Sequence, residues 1–375
     1  MKIAIMLRHI DEHGGGVMEY TRRLLEQFFA TFRQHQYYLL YRTPNNIGSF
    51  GDFENVHEIV LESASKPAWD QIAVPRYLER EKPDIVFNPK YSFPLLTSVP
   101  GLFVCHGLDW YVMPWGSRWI DRLSHKFLVP LYSRKAKAII AVSETTREHV
   151  MRYLNKPSSD VVTVYHGVDE SFRCPVAEEQ LQATRKKFSL PPSYYLYVSR
   201  IYPPKNFGRL IRAFAKVSTD HNRYLVVAGT HTEGCEDEIA LIEDLGISNR
   251  VMQLGWVGRK DLPALYSMAD ALVQPSLYES FGISLVEAMS IGCPILTANC
   301  YGAAEVTADA ALLVDPQDVD AIETGLRRIV DDTSLRETLI ARGFKRSEEF
   351  TWEKCAAQTM GAIEDVYQRS IVKNR

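Results

Sequence analysis

Two glutamates eight residues apart, Glu279 and Glu287, mark the stretch of this chain that is best suited to chemistry. An apolar run ending at Val273 precedes them, and an amphipathic run carries the second acid. The turn between strand and helix offers backbone N–H groups that suit a phosphate or a sugar hydroxyl. Each carboxylate can accept two hydroxyl hydrogen bonds, so the pair suits a polyhydroxylated ligand. A surface loop followed by an ordinary helix is the alternative interpretation.

The stretch from Pro275 to Pro294 resembles the signature of the retaining glycosyltransferases of family 4, which have the two-domain GT-B fold. The resemblance implies that Glu279 meets the donor sugar and that Glu287 binds the ribose of the nucleotide. It further implies that four residues present backbone amides to the sugar and the diphosphate: Phe281, Gly282, Ile283 and Ser284.

Two cations, Arg200 and Lys205, follow the first apolar run of the second half of the chain. A planar guanidinium and a mobile ammonium both suit a diphosphate beside a helix N-terminus. A pair of solvated surface cations is the alternative. The resemblance implies that both residues hold the donor diphosphate, although Ser199 and Asn206 stand where the family usually has glycine.

A glycine-rich turn, His13–Val17, follows the first apolar run and opens an amphipathic segment. Glycine lets the backbone approach an anion at a helix end. A dinucleotide fingerprint would need glycine at position 19, which is Glu19, and an esterase would need a Gly-x-Ser-x-Gly elbow that the chain lacks. The resemblance implies that Gly15 and Gly16 face the donor phosphate.

One histidine, His106, follows another apolar run, Leu102–Cys105. Neutral imidazole can donate and accept a hydrogen bond, as a sugar hydroxyl requires, although a lone histidine is more often structural. The resemblance implies that His106 contacts the donor sugar, even though Gly107 stands where aspartate is common.

Short apolar runs alternate with longer amphipathic ones along the 375 residues, which predicts an α/β protein with parallel sheets. Together with the resemblance, this predicts two facing Rossmann-like, doubly wound domains with a cleft between them. We predict an acceptor-side domain over 1–170 and a donor domain over 171–351. We also expect a last helix, about 352–375, to pack back on the first domain.

Composition excludes several classes of protein. The net charge of −3 gives no sign of nucleic-acid binding, and no run reaches 18 apolar residues, so no helix is predicted to span a membrane. None of the six cysteines forms a Cys-x-x-Cys pair, which would indicate zinc. We expect a cytoplasmic protein with no metal and no cofactor, since the nucleotide-sugar is a substrate.

Residues 115–137 interleave aromatic residues with cations, and Trp115, Trp119, Phe127 and Tyr132 are the aromatic ones. A cationic amphipathic face of this kind can sit on anionic lipid. An exposed helix face is the alternative. The hypothesis is peripheral contact with the inner face of the membrane.

The resulting hypothesis is a hexosyltransferase that moves a sugar with retention of configuration to an acceptor hydroxyl. The resemblance implies a role in bacterial surface polysaccharide or lipid-linked glycan synthesis, and its surface-polysaccharide members favour GDP-mannose as donor, with UDP-sugars next. Glu279, His106, Arg200 and Lys205 would carry the reaction. The alternatives are an NAD(P)-dependent oxidoreductase, a sugar-phosphate-acceptor synthase of sucrose-phosphate type, and a non-catalytic protein that keeps the fold.

Overall fold

The computed structural model describes residues 1–11, 15–51, 53–116, 119–218, 222–232 and 234–373. This part of the chain divides into two compact units. Unit 1 comprises Met1–Tyr111, Arg118–Gly167 and Trp352–Arg375, and unit 2 comprises Val112–Ser117 and Val168–Thr351. The chain thus leaves unit 1 after Gly167, three residues before the predicted boundary at 170, and the short segment Val112–Ser117 groups with unit 2.

Unit 1 is built on a parallel sheet whose strand order is β3-β2-β1-β4-β5-β6-β7 within the described residues. Its strands are β1 (Lys2–Met6), β2 (Gln36–Tyr41), β3 (Val56–Val60), β4 (Ile85–Asn88), β5 (Gly101–Cys105), β6 (Ala138–Ala141) and β7 (Val161–Thr163). Most of them coincide with the short apolar runs of the sequence. The exception is β3, which lies at the sheet edge and carries His57 and Glu58 at its centre.

Unit 2 is built on a second parallel sheet, with the order β10-β9-β8-β11-β12-β13 in the part of the chain that the structure describes. Its strands are β8 (Tyr194–Val198), β9 (Tyr224–Ala228), β10 (Val251–Gly255), β11 (Ala271–Gln274), β12 (Ile295–Ala298) and β13 (Leu312–Val314). The central strands β11 and β12 are buried along their whole length. This is expected of parallel strands that are covered on both faces.

Helices fill the intervals between strands. In unit 1 and the segment that leaves it they are α1 (Gly16–Thr31), α2 (Lys66–Ala68), α3 (Val74–Glu81), α4 (Asp109–Val112), α5 (Trp119–Lys135), α6 (Glu144–Leu154) and α15 (Trp352–Lys373). In unit 2 they are α7 (Glu178–Phe188), α8 (Phe207–Ser218), α9 (Glu236–Asp244), α10 (Leu262–Met268), α11 (Ile283–Ile291), α12 (Tyr301–Thr307), α13 (Val319–Asp331) and α14 (Thr333–Ser347).

Local signals set several helix ends. Ser143 caps α6, and its Oγ accepts a hydrogen bond of 3.0 Å from the Thr146 amide. The terminal helix α15 belongs to unit 1 and packs against α1, where Gln27 donates to Glu353 at 3.3 Å. Trp352, the first residue of α15, is 5% exposed and helps to close the core of unit 1.

Strand order reverses once in each sheet. In unit 1 the chain builds outward from β1 and returns to place β4 on its other side, and in unit 2 the same happens between β8 and β11. Loops that leave two such strands diverge to opposite sides, which opens a crevice at the carboxyl ends where ligands bind in doubly wound sheets. Among the described residues, no helix is long and apolar enough to cross a membrane.

Candidate functional site

The loop after β11 is held in one conformation by two glycines. Gly282 has φ 88° and caps the N-terminus of α11, and a Cβ there would lie 2.7 Å from Leu285 Cδ1. A Cβ on Gly302 would lie 2.5 Å from the carbonyl oxygen of Ser280, and the Gly302 amide donates to the Glu279 carbonyl at 2.9 Å. Both contacts of Gly302 are with the segment that carries Glu279, so the fold fixes where the Glu279 carboxylate lies.

Glu279 forms a buried ion pair with Lys205. Lys205 Nζ lies 2.5 Å from Glu279 Oε2, and the two residues are 9% and 8% exposed. Gln274 Nε2 donates to the same oxygen at 3.2 Å, while Ser284 Oγ donates to Gln274 Oε1 at 2.7 Å. The network therefore joins Glu279 and Lys205 to the first turn of α11.

The loop after β8 is tied to the loop after β11 through its backbone. The Pro204 carbonyl accepts from the Leu277 amide at 2.8 Å. Asn206 adopts φ 59°, a left-handed conformation that glycine or asparagine tolerates best. Its Nδ2 also donates to the carbonyls of Pro275 and Pro316, at 2.8 and 2.6 Å. Asparagine thus meets the backbone requirement that glycine would meet here and adds two hydrogen bonds.

Glu287 lies on α11 with both carboxylate oxygens engaged. Arg259 Nη1 donates to Oε1 at 2.9 Å, and Tyr266 OH donates to Oε2 at 3.0 Å. Glu287 is 3% exposed, and its charge adds to burial in raising the pKa of Tyr266 well above the usual range. The tyrosine therefore stays protonated and remains a donor.

Arg200 lies at the carboxyl end of β8, outside the buried network, and is exposed. Behind it, Gly229 packs so closely on Ser199 that a Cβ would lie 1.9 Å from the Ser199 carbonyl oxygen. Trp256, which follows β10, is 73% exposed. The cation and the aromatic ring are thus open to a ligand at the carboxyl edge of unit 2.

His106 lies in unit 1 at the end of β5. Its Nε2–H donates to the Pro89 carbonyl at 2.8 Å, and because a carbonyl only accepts, Nδ1 is left as an acceptor in the neutral ring. Tyr20 and His166 pack against it, with ring centroids 4.9 and 5.5 Å away. Burial lowers the pKa of His106 to about 4, with a smaller contribution from Lys90. The ring is therefore neutral at physiological pH.

Of the predicted glycine-rich turn, His13 and Gly14 lie outside the described residues. Gly15 has φ 111° and precedes α1, which begins at Gly16. A Cβ on Gly15 would meet no atom of the described residues within 4 Å, and the positive φ is what favours glycine at this position. Gly107 has φ 135°, which accounts in the same way for glycine beside His106.

Unit 2 therefore brings together several of the predicted residues. The fold places Lys205, Glu279 and Ser284 in one hydrogen-bonded network, and Glu287 belongs to a second set on the same helix. Sequence reasoning missed Gln274, Arg259 and Tyr266. The sequence does offer a signal for Gln274, since it is the polar residue that ends the apolar run of β11. Nothing in the sequence indicates that Arg259 would reach an acid 28 residues away.

Two family models match the chain in succession. "Glycosyltransferase Family 4" matches residues 14–172 and "Glycosyl transferases group 1" matches residues 180–346, so together they cover most of both units. The chain belongs to the family 4 glycosyltransferases. The family assignment is inconsistent with the oxidoreductase alternative.

A similar protein of the family is O-antigen chain mannosyltransferase B from Escherichia coli, which is 33% identical over 250 residues. These residues are 65% of this chain and 64% of that protein, and the chain spans less than two thirds of other curated relatives as well. HepE from Anabaena, solved in complex with UDP and glucose, superposes with a TM-score of 0.78 at 18% identity, covering 97% and 100% of the two chains. Sucrose-phosphate synthase from Thermosynechococcus elongatus gives 0.78 at 20% identity, covering 98% and 99%. At these identities the likeness shows the fold, which is of the GT-B class.

A Gly302→Ala substitution tests whether this glycine sets the Glu279 loop. The added methyl group would meet backbone oxygens that cannot move aside, so we expect a loss of about 1–3 kcal/mol in the free energy of unfolding, measured by urea denaturation. Gly361→Ala is the matched control, since a Cβ there meets no atom within 4 Å in helix α15. It should be neutral or stabilise the protein by up to about 1 kcal/mol. Equal effects of both substitutions would contradict the packing argument.

The low pKa of His106 predicts a pH dependence of stability. The ordinary value is 6.5, so between pH 6.5 and about 4 the unfolded state binds a proton that the folded state resists. Folded stability should therefore fall as the pH falls through this window. The titration is measured from the Cε1–H signal of His106, assigned with a His106→Gln variant, whose stability should also fall less steeply. A midpoint near 6.5 in the folded protein would show that this argument is wrong.

Proposed function

We propose that this chain is a retaining glycosyltransferase that moves a sugar from a nucleoside-diphosphate sugar to an acceptor hydroxyl. The observation that carries the proposal is the buried pair of Lys205 and Glu279 beside the N-terminus of α11. It lies where strand order reverses between β8 and β11. A cation, a carboxylate and helix amides at such a crevice match a ligand that joins a diphosphate to a polyhydroxylated ring.

The diphosphate gains negative charge as the glycosidic bond breaks. Lys205 Nζ, the exposed Arg200 guanidinium and the amides of Ile283 and Ser284 would stabilise that charge. Lys205 would then divide its hydrogen bonds between Glu279 and phosphate. We propose that these cations and amides do the electrostatic work and that the enzyme uses no metal and no cofactor.

Glu279 would hold hydroxyls of the donor sugar, and the Nδ1 atom of His106 is suited to accept another. Because Glu279 Oε2 already accepts from Lys205 and Gln274, the carboxylate is held as a hydrogen-bonding group. We propose that the acceptor attacks from the face that the diphosphate leaves and that a phosphate oxygen takes the acceptor proton. Trapping of a glycosyl-enzyme on Glu279 would overturn this route.

We propose GDP-mannose as the donor and a growing bacterial surface glycan, or a lipid-linked one, as the acceptor. The support is the similarity to a mannosyltransferase of O-antigen chains. A UDP-sugar is the second candidate, because the structurally similar HepE was solved with UDP and glucose.

The surface of α5 supports a place of action at the cytoplasmic face of a membrane. Four apolar side chains on this helix are 36–68% exposed: Leu123, Phe127, Leu128 and Leu131. Lys126, Arg134 and Lys135 are exposed on the same helix. Tyr132, which the sequence placed among the aromatic residues of this face, is instead 7% exposed and belongs to the core of unit 1. We propose that this apolar and basic face of α5 rests on anionic lipid.

Donor binding is tested by the melting temperature in the presence of GDP, UDP or ADP. A nucleotide at a hundred times its dissociation constant adds about 2.7 kcal/mol to the stability of the folded protein. Arg200→Ala should weaken binding of the preferred nucleotide about tenfold, since it removes a charged hydrogen bond without disturbing the buried pair. Arg328→Ala, at another exposed arginine, is the matched control.

The role of Glu287 is read from the same assay with the 2′-deoxy nucleotide. If Glu287 accepts from the ribose, the deoxy nucleotide binds the wild type more weakly, and Glu287→Gln reduces that difference. If none of the nucleotides stabilises the protein, donor binding is contradicted. If the ribose and deoxy forms stabilise the protein equally, with and without Glu287, the role of Glu287 at the ribose is contradicted.

Lipid contact is tested by co-sedimentation with vesicles of phosphatidylglycerol, with phosphatidylcholine vesicles as the uncharged comparison. We expect binding to the anionic vesicles and at least tenfold weaker binding by Phe127→Ser, Leu131→Ser, because each buried apolar side chain contributes about 1.5–3 kcal/mol. Phe344→Ser on α14 removes another exposed phenylalanine, 47% exposed, and should change nothing. Wild-type protein that stays in the supernatant with both vesicles would remove this proposal.

A further inference from the structure

The carboxyl edge of unit 1 has a polar notch at the reversal of strand order, between β1 and β4. The notch has room for about one water-sized group, with a volume of about 10 Å³. The residues that line it are mostly charged or polar, and they include Arg8, Asp70, Asn88, Lys90 and Ser92. It occupies in unit 1 the topological position that the Lys205–Glu279 pair occupies in unit 2.

An ion pair closes one side of the notch. Arg8 Nε lies 3.0 Å from Asp70 Oδ1, Arg8 Nη2 lies 3.2 Å from Oδ2, and the side chains are 15% and 8% exposed. Burial raises the pKa of Asp70, against the opposing effect of Arg8, Ser92 and Lys90. Such burial seldom stabilises a fold relative to an apolar replacement. A contribution to stability therefore does not by itself account for the pair.

The position of Asp70 comes from an irregular helix. The segment Trp69–Ala73 is a π-helical turn between α2 and α3, a distortion that is frequent at functional sites. Trp69 is fully buried, and its Nε1–H donates to the Tyr41 carbonyl at 3.3 Å, which anchors the turn. The widened turn places Asp70 beside Arg8.

The opposite side of the notch is a fixed loop. Asn88 Nδ2 donates to the carbonyl and the hydroxyl of Ser92, both at 2.8 Å, and the Lys90 amide donates to Asn88 Oδ1 at 3.0 Å. Pro89, within this loop, accepts the hydrogen bond that fixes His106. One short loop therefore lines the notch and orients the histidine assigned to the donor sugar.

We infer that this notch binds a hydroxyl group of the acceptor glycan, with Asp70 accepting its proton and the cations Arg8 and Lys90 donating to its oxygen. The inference rests on the proposed function, because it assigns the acceptor side of the same reaction. The size decides the chemistry, since the notch admits one oxygen and is too small for a phosphate group. The mixture of acceptor and donors around it matches a hydroxyl, which does both.

The experiment uses methyl α-D-mannopyranoside and methyl α-D-glucopyranoside as probes, with binding measured by saturation-transfer NMR on the full chain. Asp70→Asn keeps the shape and removes the charge. We expect its dissociation constant for the glycoside that binds to rise about ten- to a hundredfold, the range for a hydrogen bond to a charged group. Glu58→Gln is the matched control, because Glu58 also accepts hydrogen bonds in unit 1, from Tyr41 and Gly48.

A set of single-deoxy methyl glycosides separates direct contact from loss of structure. If Asp70 holds one hydroxyl, the compound that lacks this hydroxyl binds the wild type more weakly than the complete glycoside does. The Asp70→Asn variant should then bind the two compounds equally well. If Asp70→Asn fails to fold, Arg8→Gln, Asp70→Asn removes both charges and leaves neither buried alone. Equal affinities of wild type and variant, equal losses for every deoxy compound, or no binding of either glycoside by the wild type would overturn the inference.

Nucleotide binding, measured in the same samples, separates this inference from the function on which it rests. Asp70→Asn should bind the preferred nucleoside diphosphate as the wild type does. A wild type that binds a glycoside through Asp70 but no nucleotide would refute the transferase and leave the notch as a sugar site.

Discussion

The constraint on which the rest of this structure depends is the burial of both faces of two parallel sheets. Strands such as β4 and β11 are buried along their whole length, so their apolar side chains serve the core, and polar side chains come at their last residues, Asn88 and Gln274. Polar chemistry is thereby confined to the loops at the strand ends. Because strand order reverses once in each sheet of the described residues, the loops on either side of the reversal diverge, and polar side chains gather there in both units.

At that place in unit 2, electrostatics and backbone geometry support one another. A buried carboxylate next to a buried ammonium is tolerated only with good geometry and further hydrogen bonds, and Gln274 supplies one of these to Glu279. The close packing of Gly302 on the carbonyls around Glu279 leaves the loop no room to relax. The proposed donor site is therefore preorganised, which is the condition for stabilising charge that develops during a reaction.

Unit 1 uses the same topology with different chemistry. Burial keeps the His106 imidazole neutral, so it can accept a hydrogen bond from a hydroxyl without placing a positive charge beside the sugar. The same 88–92 loop that contacts His106 also lines the notch, where the charges of Asp70 and Arg8 neutralise each other. A neutral hydrogen-bond acceptor beside a polar notch suits recognition of a polyol, while the cationic edge of unit 2 suits a diphosphate.

Sequence alone determined the α/β class, nearly all the strands and the family, because apolar runs of strand length and the Glu279–Glu287 spacing are local features. It also marked Lys205 and His106, since each lies in the segment that follows a strand. Only the tertiary structure decided which of these residues meet: the pairing of Lys205 with Glu279, of Arg259 with Glu287 and of Arg8 with Asp70 joins residues 28 to 74 positions apart. Such pairs depend on which strands become neighbours and on how far each loop reaches, and neither is encoded in a short stretch of sequence.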